Sequence, residues 1–220
     1  PAIMRETVQN ALEEGVAIGA HPSLPDLVGF ARRNIAITPE EAYDLIIYQV
    51  GALMGFLKLF GASLHHVKPH GALYQMAARD ESLALAVAQA VADLTNGEAI
   101  LYGLAGSELI KAGRSLGLSV ANEVFADRTY QEDGHLTSRL ERDALITDPD
   151  IAIAQVLQMV VDNEVTTTTG VVIPLECDTI CIHGDGVTAR QFAHTIHHAL
   201  RKRGIMITPS FCSADDPIYH

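Results

Sequence analysis

The chain has no tryptophan, three cysteines and few cations: 15 Lys and Arg stand against 27 Asp and Glu, a formal net charge of −12 over 220 residues. Each shortage excludes something. Without a Lys/Arg run or a basic stripe the chain cannot displace counterions from phosphate, which argues against nucleic acid as a partner. Cys177, Cys181 and Cys212 are odd in number and have neither CxxC nor zinc-knuckle spacing. A thiol in an apolar run behaves as a small hydrophobe, so they read as structural and the compartment as reducing cytoplasm. The apolar stretch 46–60 is broken by Gln49, Gly51, Gly55 and Lys58, which argues against a membrane span. No signal-peptide pattern is visible. Walker A, GxGxxG and GxSxG patterns are missing too, so any nucleotide would be held by another kind of fold or another chain.

What is present suits a folded α/β domain. Apolar residues make up 48% and charged residues 19%, enough to bury a full core and too apolar for disorder. Residues 1–14 read as a helix ended by Gly15, and 16–20 as a short apolar strand. Thr38, Pro39 and Glu41 form a strong helix start, as N-cap, N1 and N3 of a capping box; apolar periodicity continues to Gly61. Further strands are expected at 63–68, 99–104, 118–122, 179–183 and 205–208. Further helices are expected at 80–94, 107–116, 148–163 and 187–203, with a hairpin over 165–176 turning at Gly170. The polar stretch 123–147 is too long for a plain connector and reads as functional.

With no repeat or linker, 1–220 reads as one domain. Strands separated by helix-length segments imply right-handed crossovers and a parallel sheet. An open sheet gathers ligand groups at one switch point, whereas a barrel gathers them from many strand ends. Here polar clusters follow four different strands, which favours a parallel β/α barrel. Such a barrel starts on a strand, and this chain starts on a helix, so an upstream strand is expected to be missing.

Each cluster has a chemical and a structural reading. His21 ends the first strand, held extended by Pro22, and either faces the barrel mouth or caps a loop carbonyl. In HHVKPHGALY (65–74), alternation puts His66 and Lys68 on one face. A lysine at an apolar strand end needs an anion, from a ligand or from a structural ion pair. Gly71 lets backbone approach closely. In EVFADRTY (123–130), Arg128 could clamp a carboxylate bidentately, with Asp127 and Glu123 as general base and orienting partner. The alternative is an Asp–Arg pair that anchors the loop. In HGDG (183–186) the glycines free amides for an anion, while His183 and Asp185 suit proton transfer or orientation. His194, His197 and His198 read as a solvated helix face. His66 and His70 also stand four apart, as in metal-dependent deacetylases, but spacing alone assigns no metal ligand.

Six blocks, GAHPSLPD (19–26), GFARR (29–33), HHVKPHGALY (65–74), LAGSELI (104–110), EVFADRTY (123–130) and DTICIHGDG (178–186), resemble the LamB/YcsF family in order and spacing. The resemblance runs to about Gly204. It implies a glycoside hydrolase/deacetylase-like β/α barrel of six or seven strands. Family members carry an Asp-x-Asn-rich strand and a Gly-Phe-His-Ala-Gly-Asp segment upstream of the helix that begins here at Pro1. The implied activity is that of an ATP-dependent 5-oxoprolinase, opening the lactam of 5-oxo-L-proline (pyroglutamate) to L-glutamate. ATP with Mg²⁺ is the implied cofactor, bound here or on one of two partner subunits of B and C type. On that mechanism Lys68, His70, Asp127, His183 and Asp185 are the candidate catalytic residues. His21, His66, Glu123 and Arg128 are the candidate substrate-binding residues, and no metal ligand is assigned. Two other classes stay open: a metal-dependent deacetylase or amidase, and a non-catalytic subunit that presents substrate.

Overall fold

The computed structural model describes residues 1–183 and 189–208. Contacts divide them into two units, Pro1–Ala121 and the residues from Asn122 onward. The first unit carries α1 (Ala2–Glu13), β1 (Gly19–Ala20), α2 (Pro39–Phe60), β2 (His66–Val67) and α3 (Gly71–Arg79). It continues through α4 (Glu81–Thr95), β3 (Ile100–Leu104) and α5 (Glu108–Ser115) to the start of β4 (Val120–Phe125).

Local chemistry sets the helix ends. Thr38 Oγ1 accepts the Glu41 N–H at 3.1 Å while the Glu41 carboxylate accepts the Thr38 N–H at 2.7 Å, so the expected capping box closes. Gly61, at φ 67°, ends α2 in the left-handed region. Asp80 caps α4 by accepting from the Ser82 and Leu83 amides, and Ser107 caps α5 by accepting from Ile110. Ala42, Ile46 and Val50 of α2 share a core with Leu83, Val87 and Val91 of α4, over Val67 and Leu101. Each buried Leu, Ile or Val there contributes about 1.5–3 kcal/mol. Contrary to the expectation from its interruptions, α2 is long and apolar enough to cross a membrane by length and composition. In this unit its apolar stripe is part of the core.

The strands run parallel, with Gly19 opposite His66, Ala20 opposite Val67, His66 opposite Ile100 and Val67 opposite Leu101. Backbone bonds extend the ladder past the strand ends: His65 N–H to Ile18 O at 2.9 Å, Lys68 to Ala20 at 2.9 Å and His70 to Pro22 at 2.8 Å. No element is expected between residues 68 and 80; the structure has α3 there, beginning directly at Gly71.

The second unit continues β4 to Phe125, three residues beyond the expected end at Asn122. Then follow α6 (Pro149–Leu157), which passes into one π-helical turn at Gln158–Asp162, β5 (Glu164–Thr166), β6 (Val172–Pro174), β7 (Thr179–Cys181) and α7 (Ala189–Lys202). β4 and β7 pair in parallel, Val124 opposite Ile180, and β5 and β6 form the expected antiparallel hairpin. In the first unit β1, β2 and β3 lie side by side, and in both units helices separate successive parallel strands, the α/β pattern expected. Residues 205–208 are not a strand: among the described residues they have no ladder partner, and Met206 is 84% exposed.

Replacing Thr38 by alanine removes the acceptor of the first turn. The expected loss is about 1 kcal/mol of stability in urea unfolding, and an unchanged midpoint would show that the cap contributes nothing.

Candidate functional site

In the first unit the candidate residues leave the carboxyl ends of β1 and β2. Pro22 and Pro69 flank the exits, and His70 N–H reaches across to Pro22 O. His21 Nδ1 lies 2.7 Å from the Lys68 carbonyl oxygen. His70 Nδ1 lies 2.9 Å from His21 Nε2, and His70 Nε2 lies 2.9 Å from the Phe30 carbonyl oxygen. The Phe30 ring meets His70 edge-on at 5.2 Å, and the Arg32 guanidinium sits over that ring at 5.1 Å. The structure thus brings His21, the Lys68 backbone and His70 together.

The loop that delivers Phe30 is pinned by Asp26. Its buried carboxylate accepts from Arg33, through Nε at 2.9 Å and a close Nη2 contact, and from the Gly29 amide at 2.9 Å. The Arg33 guanidinium, helped by Gly29, holds the Asp26 carboxyl down to about 2. Phe30 and Ala31 occupy positive φ, 53° and 54°, and the Ala31 carbonyl accepts the Ala72 N–H at 2.8 Å. Gly71 has φ 58°, and a Cβ there would lie 2.4 Å from the Ala31 oxygen, so only glycine fits.

His66 opens β2. Its ring stacks on Tyr102 at 4.4 Å, and its Nδ1 meets the His65 Nδ1 at 3.0 Å. Burial first, and then the nearby charges of His65, Lys68 and His21, lower its pKa to about 4. It is therefore neutral at pH 7. Gly19 makes room for it, because a Cβ there would lie 2.1 Å from the His66 Nε2.

In the second unit Asp127 and His183 leave β4 and β7. His183 Nδ1 lies 2.8 and 3.0 Å from the two Asp127 oxygens, and the His183 amide donates to the same carboxylate at 3.3 Å. Phe125 stacks on the imidazole at 5.8 Å. Burial pushes the Asp127 carboxyl up, but the hydrogen bonds and charge of His183 outweigh it, and the net direction is down. A carboxylate on Nδ1 fixes the proton there and leaves Nε2 as the basic nitrogen.

Arg128 is buried at 5% exposure and donates from Nε to Ala144 O at 3.1 Å and from Nη2 to Thr137 O at 2.5 Å. Those bonds are to backbone carbonyls of the long loop, which they anchor. Tyr130 is fully buried, its Oη accepts the Phe125 amide at 2.8 Å, and burial holds its phenol protonated. Gln155 donates to the Phe125 and Arg128 carbonyls, both at 2.9 Å. Sequence reasoning passed over Gln155; the signal was a lone amide on a helix whose Ala152 and Val156 are buried. Glu123 is buried within β4, and Asp185 lies outside the described residues. Burial raises the Cys177 thiol to about 12, as suits a structural cysteine. His194, His197 and His198 lie on α7 between its buried Phe192, Ile196 and Leu200. Among the described residues no three His, Cys, Asp or Glu side chains gather as a metal site.

A profile of the LamB/YcsF family matches residues 1–214. The chain belongs to the LamB/YcsF family. Its relatives include a Bacillus licheniformis protein named as the A-type subunit of 5-oxoprolinase, 58% identical over 94% of this chain and 81% of that one. A Bordetella parapertussis protein of the same name is 60% identical over 94% and 82%. Among solved structures, the lactam utilization protein from Thermus thermophilus superposes with a TM-score of 0.85 at 42% identity, covering 94% of this chain and 82% of that one.

Two measurements test this geometry. Gly71→Ala forces a Cβ against the Ala31 carbonyl, with an expected loss of about 2 kcal/mol; an unchanged melting temperature would contradict the close approach. His66 has a folded-state pKa of about 4 against 6.5 for the ordinary group. Between those values the unfolded chain binds more protons. The stabilisation is therefore full above pH 6.5 and lost as pH falls toward 4, roughly 3 kcal/mol in all. Stability of wild type and His66→Phe across that window should differ in slope, and parallel curves would assign the loss elsewhere.

Proposed function

We propose that this chain is one component of a multi-subunit 5-oxoprolinase that opens 5-oxo-L-proline to L-glutamate with hydrolysis of ATP. Relatives named for that enzyme, matched along nearly the whole chain, support the reading. One observation carries the chemistry: the Asp127 carboxylate holds His183 by Nδ1, so that Nε2 can take a proton from water. A five-membered lactam is an unactivated amide, and ATP supplies the driving force by activating its carbonyl. Water then adds to the acyl carbon as His183 Nε2 takes its proton, with Asp127 as positioning partner; the ring C–N bond breaks, that proton passes to the leaving nitrogen, and a second water releases the phosphate from the acyl group. Lys68 supplies positive charge to the substrate carboxylate or the developing oxyanion. ATP, with Mg²⁺, is held on this chain or on one of two partner subunits.

The test is glutamate release from 5-oxoproline and ATP by this chain with its B- and C-type partners. Release that needs this chain supports the reading. Release without it, or none with all partners present, overturns it.

Lys68→Met keeps the apolar stem and removes the charge. Acting on the transition state, Lys68 should give a variant with kcat lowered on the order of 100-fold, or about 3 kcal/mol of barrier, at an unchanged melting temperature. Wild-type turnover in a less stable protein would reduce Lys68 to a structural cation.

A further inference from the structure

His21 and His70 are bound in a way that fixes every ring proton. His21 Nδ1 lies 2.7 Å from the Lys68 carbonyl oxygen, and His70 Nε2 lies 2.9 Å from the Phe30 carbonyl oxygen. A carbonyl offers lone pairs only, so each of these nitrogens carries a proton. That uses the single proton of a neutral imidazole on both rings. The two inner nitrogens, His21 Nε2 and His70 Nδ1, then face each other at 2.9 Å. Two lone pairs at that distance repel, whereas one proton between them makes an ordinary N–H···N bond.

We propose that His21 and His70 share one proton and act as a single cation at the carboxyl ends of β1 and β2, a binding element for an anionic substrate group. Every ring nitrogen is engaged, so the pair lends charge rather than a hydrogen bond. It is a positioning element, and the ligand class it favours is a carboxylate. The idea rests on the 5-oxoprolinase reading only for the identity of that carboxylate. The shared proton also ties three segments together: the chain after β1, the loop carrying Phe30 and the turn before α3.

The surroundings within this unit agree. His21 is exposed, so water shares in solvating the charge. The rings pack edge to face at 4.8 Å. The Arg32 guanidinium sits over the Phe30 ring that meets His70 edge-on, and its charge opposes the proton. His65 and His66 lie beyond Lys68 on the same strand, with His66 neutral above about pH 4 because burial disfavours its charge. The N–H···N bond works the other way, since a hydrogen bond to the charged form favours that form. Removing the proton leaves two facing lone pairs, and one ring must turn away.

The experiment is histidine ¹⁵N NMR across pH on the whole chain, wild type beside His21→Asn and His70→Asn. The expected wild-type spectrum at pH 7 has protons on His21 Nδ1 and His70 Nε2 and one further proton shared by the inner nitrogens. The pair should release that proton as one unit, at higher pH than the single ring left in either variant. Two rings that titrate independently, with bare inner nitrogens at pH 7, would overturn the proposal. So would a divalent metal in the purified protein whose chelation alone changes both rings. In the assembled enzyme, KM for 5-oxoproline should rise through the same titration with kcat unchanged, and the variants should lack that limb. A pH-independent KM would remove the binding role. The spectra need no substrate, so a chain without 5-oxoprolinase activity would lose the proposed function and keep the pair.

Discussion

The Ala31 carbonyl and the Ala72 amide meet at 2.8 Å above a glycine, and the arrangement of the first unit's polar residues depends on that contact. Asp26, bonded by Arg33 and Gly29, turns the loop so that Phe30 and Ala31 take left-handed φ. Those conformations are disfavoured for residues with a Cβ and persist only where several bonds over-determine them. The turn aims two successive carbonyls inward: that of Ala31 at α3 and that of Phe30 at the His70 ring. The first helps to fix the second, together with the Ala31 N–H bond to Asp26 O at 2.7 Å. The Arg33–Asp26 pair keeps its charge down to about pH 2, so the brace holds over the working range.

The second unit solves a similar problem with a buried guanidinium. A stretch of some twenty residues between β4 and α6 has little regular structure, and such a loop needs internal partners for its backbone. Arg128 bonds the carbonyls of Thr137 and Ala144, Tyr130 takes the Phe125 amide, and Gln155 ties two further carbonyls to α6. Charge-assisted bonds to carbonyls offset part of the desolvation that burial imposes on the cation. Between these anchors Asp127 is left pointing at His183.

Much of this was legible in the sequence where the signal is local. Thr38, Pro39 and Glu41 announce the start of α2, and Gly61 its end, because caps are made by residues within one turn. The strands carrying His21, Lys68 and His183 were placed by apolar runs, and the LamB/YcsF blocks gave the family. α3 escaped because its N-cap, His70, makes no side-chain cap bond and its first residue is a left-handed glycine. Both read as loop. The partners of Arg128 were invisible for a different reason. They are backbone carbonyls 9 and 16 residues away, and a carbonyl has no letter in the sequence. The adjacent Asp127 therefore looked like its natural mate, while that carboxylate turns instead to a histidine 56 positions on. Residues 205–208 show the converse: a β-like run that has no strand to pair with among the described residues is irregular.

The acceptor that faces a histidine decides what the ring can do, and this chain uses two kinds. A carboxylate on one nitrogen, as at His183, favours the imidazolium that forms when the other nitrogen takes a proton, so the ring is set up as a base. Carbonyls on one nitrogen of each of two facing rings, as at His21 and His70, fix both tautomers and leave an inner gap that only a proton or another electrophile can bridge. The first arrangement serves proton uptake and the second serves charge. On the function proposed above, the first arrangement is the one that suits a base for the attacking water, and the second, on the shared proton proposed above, suits an anionic group.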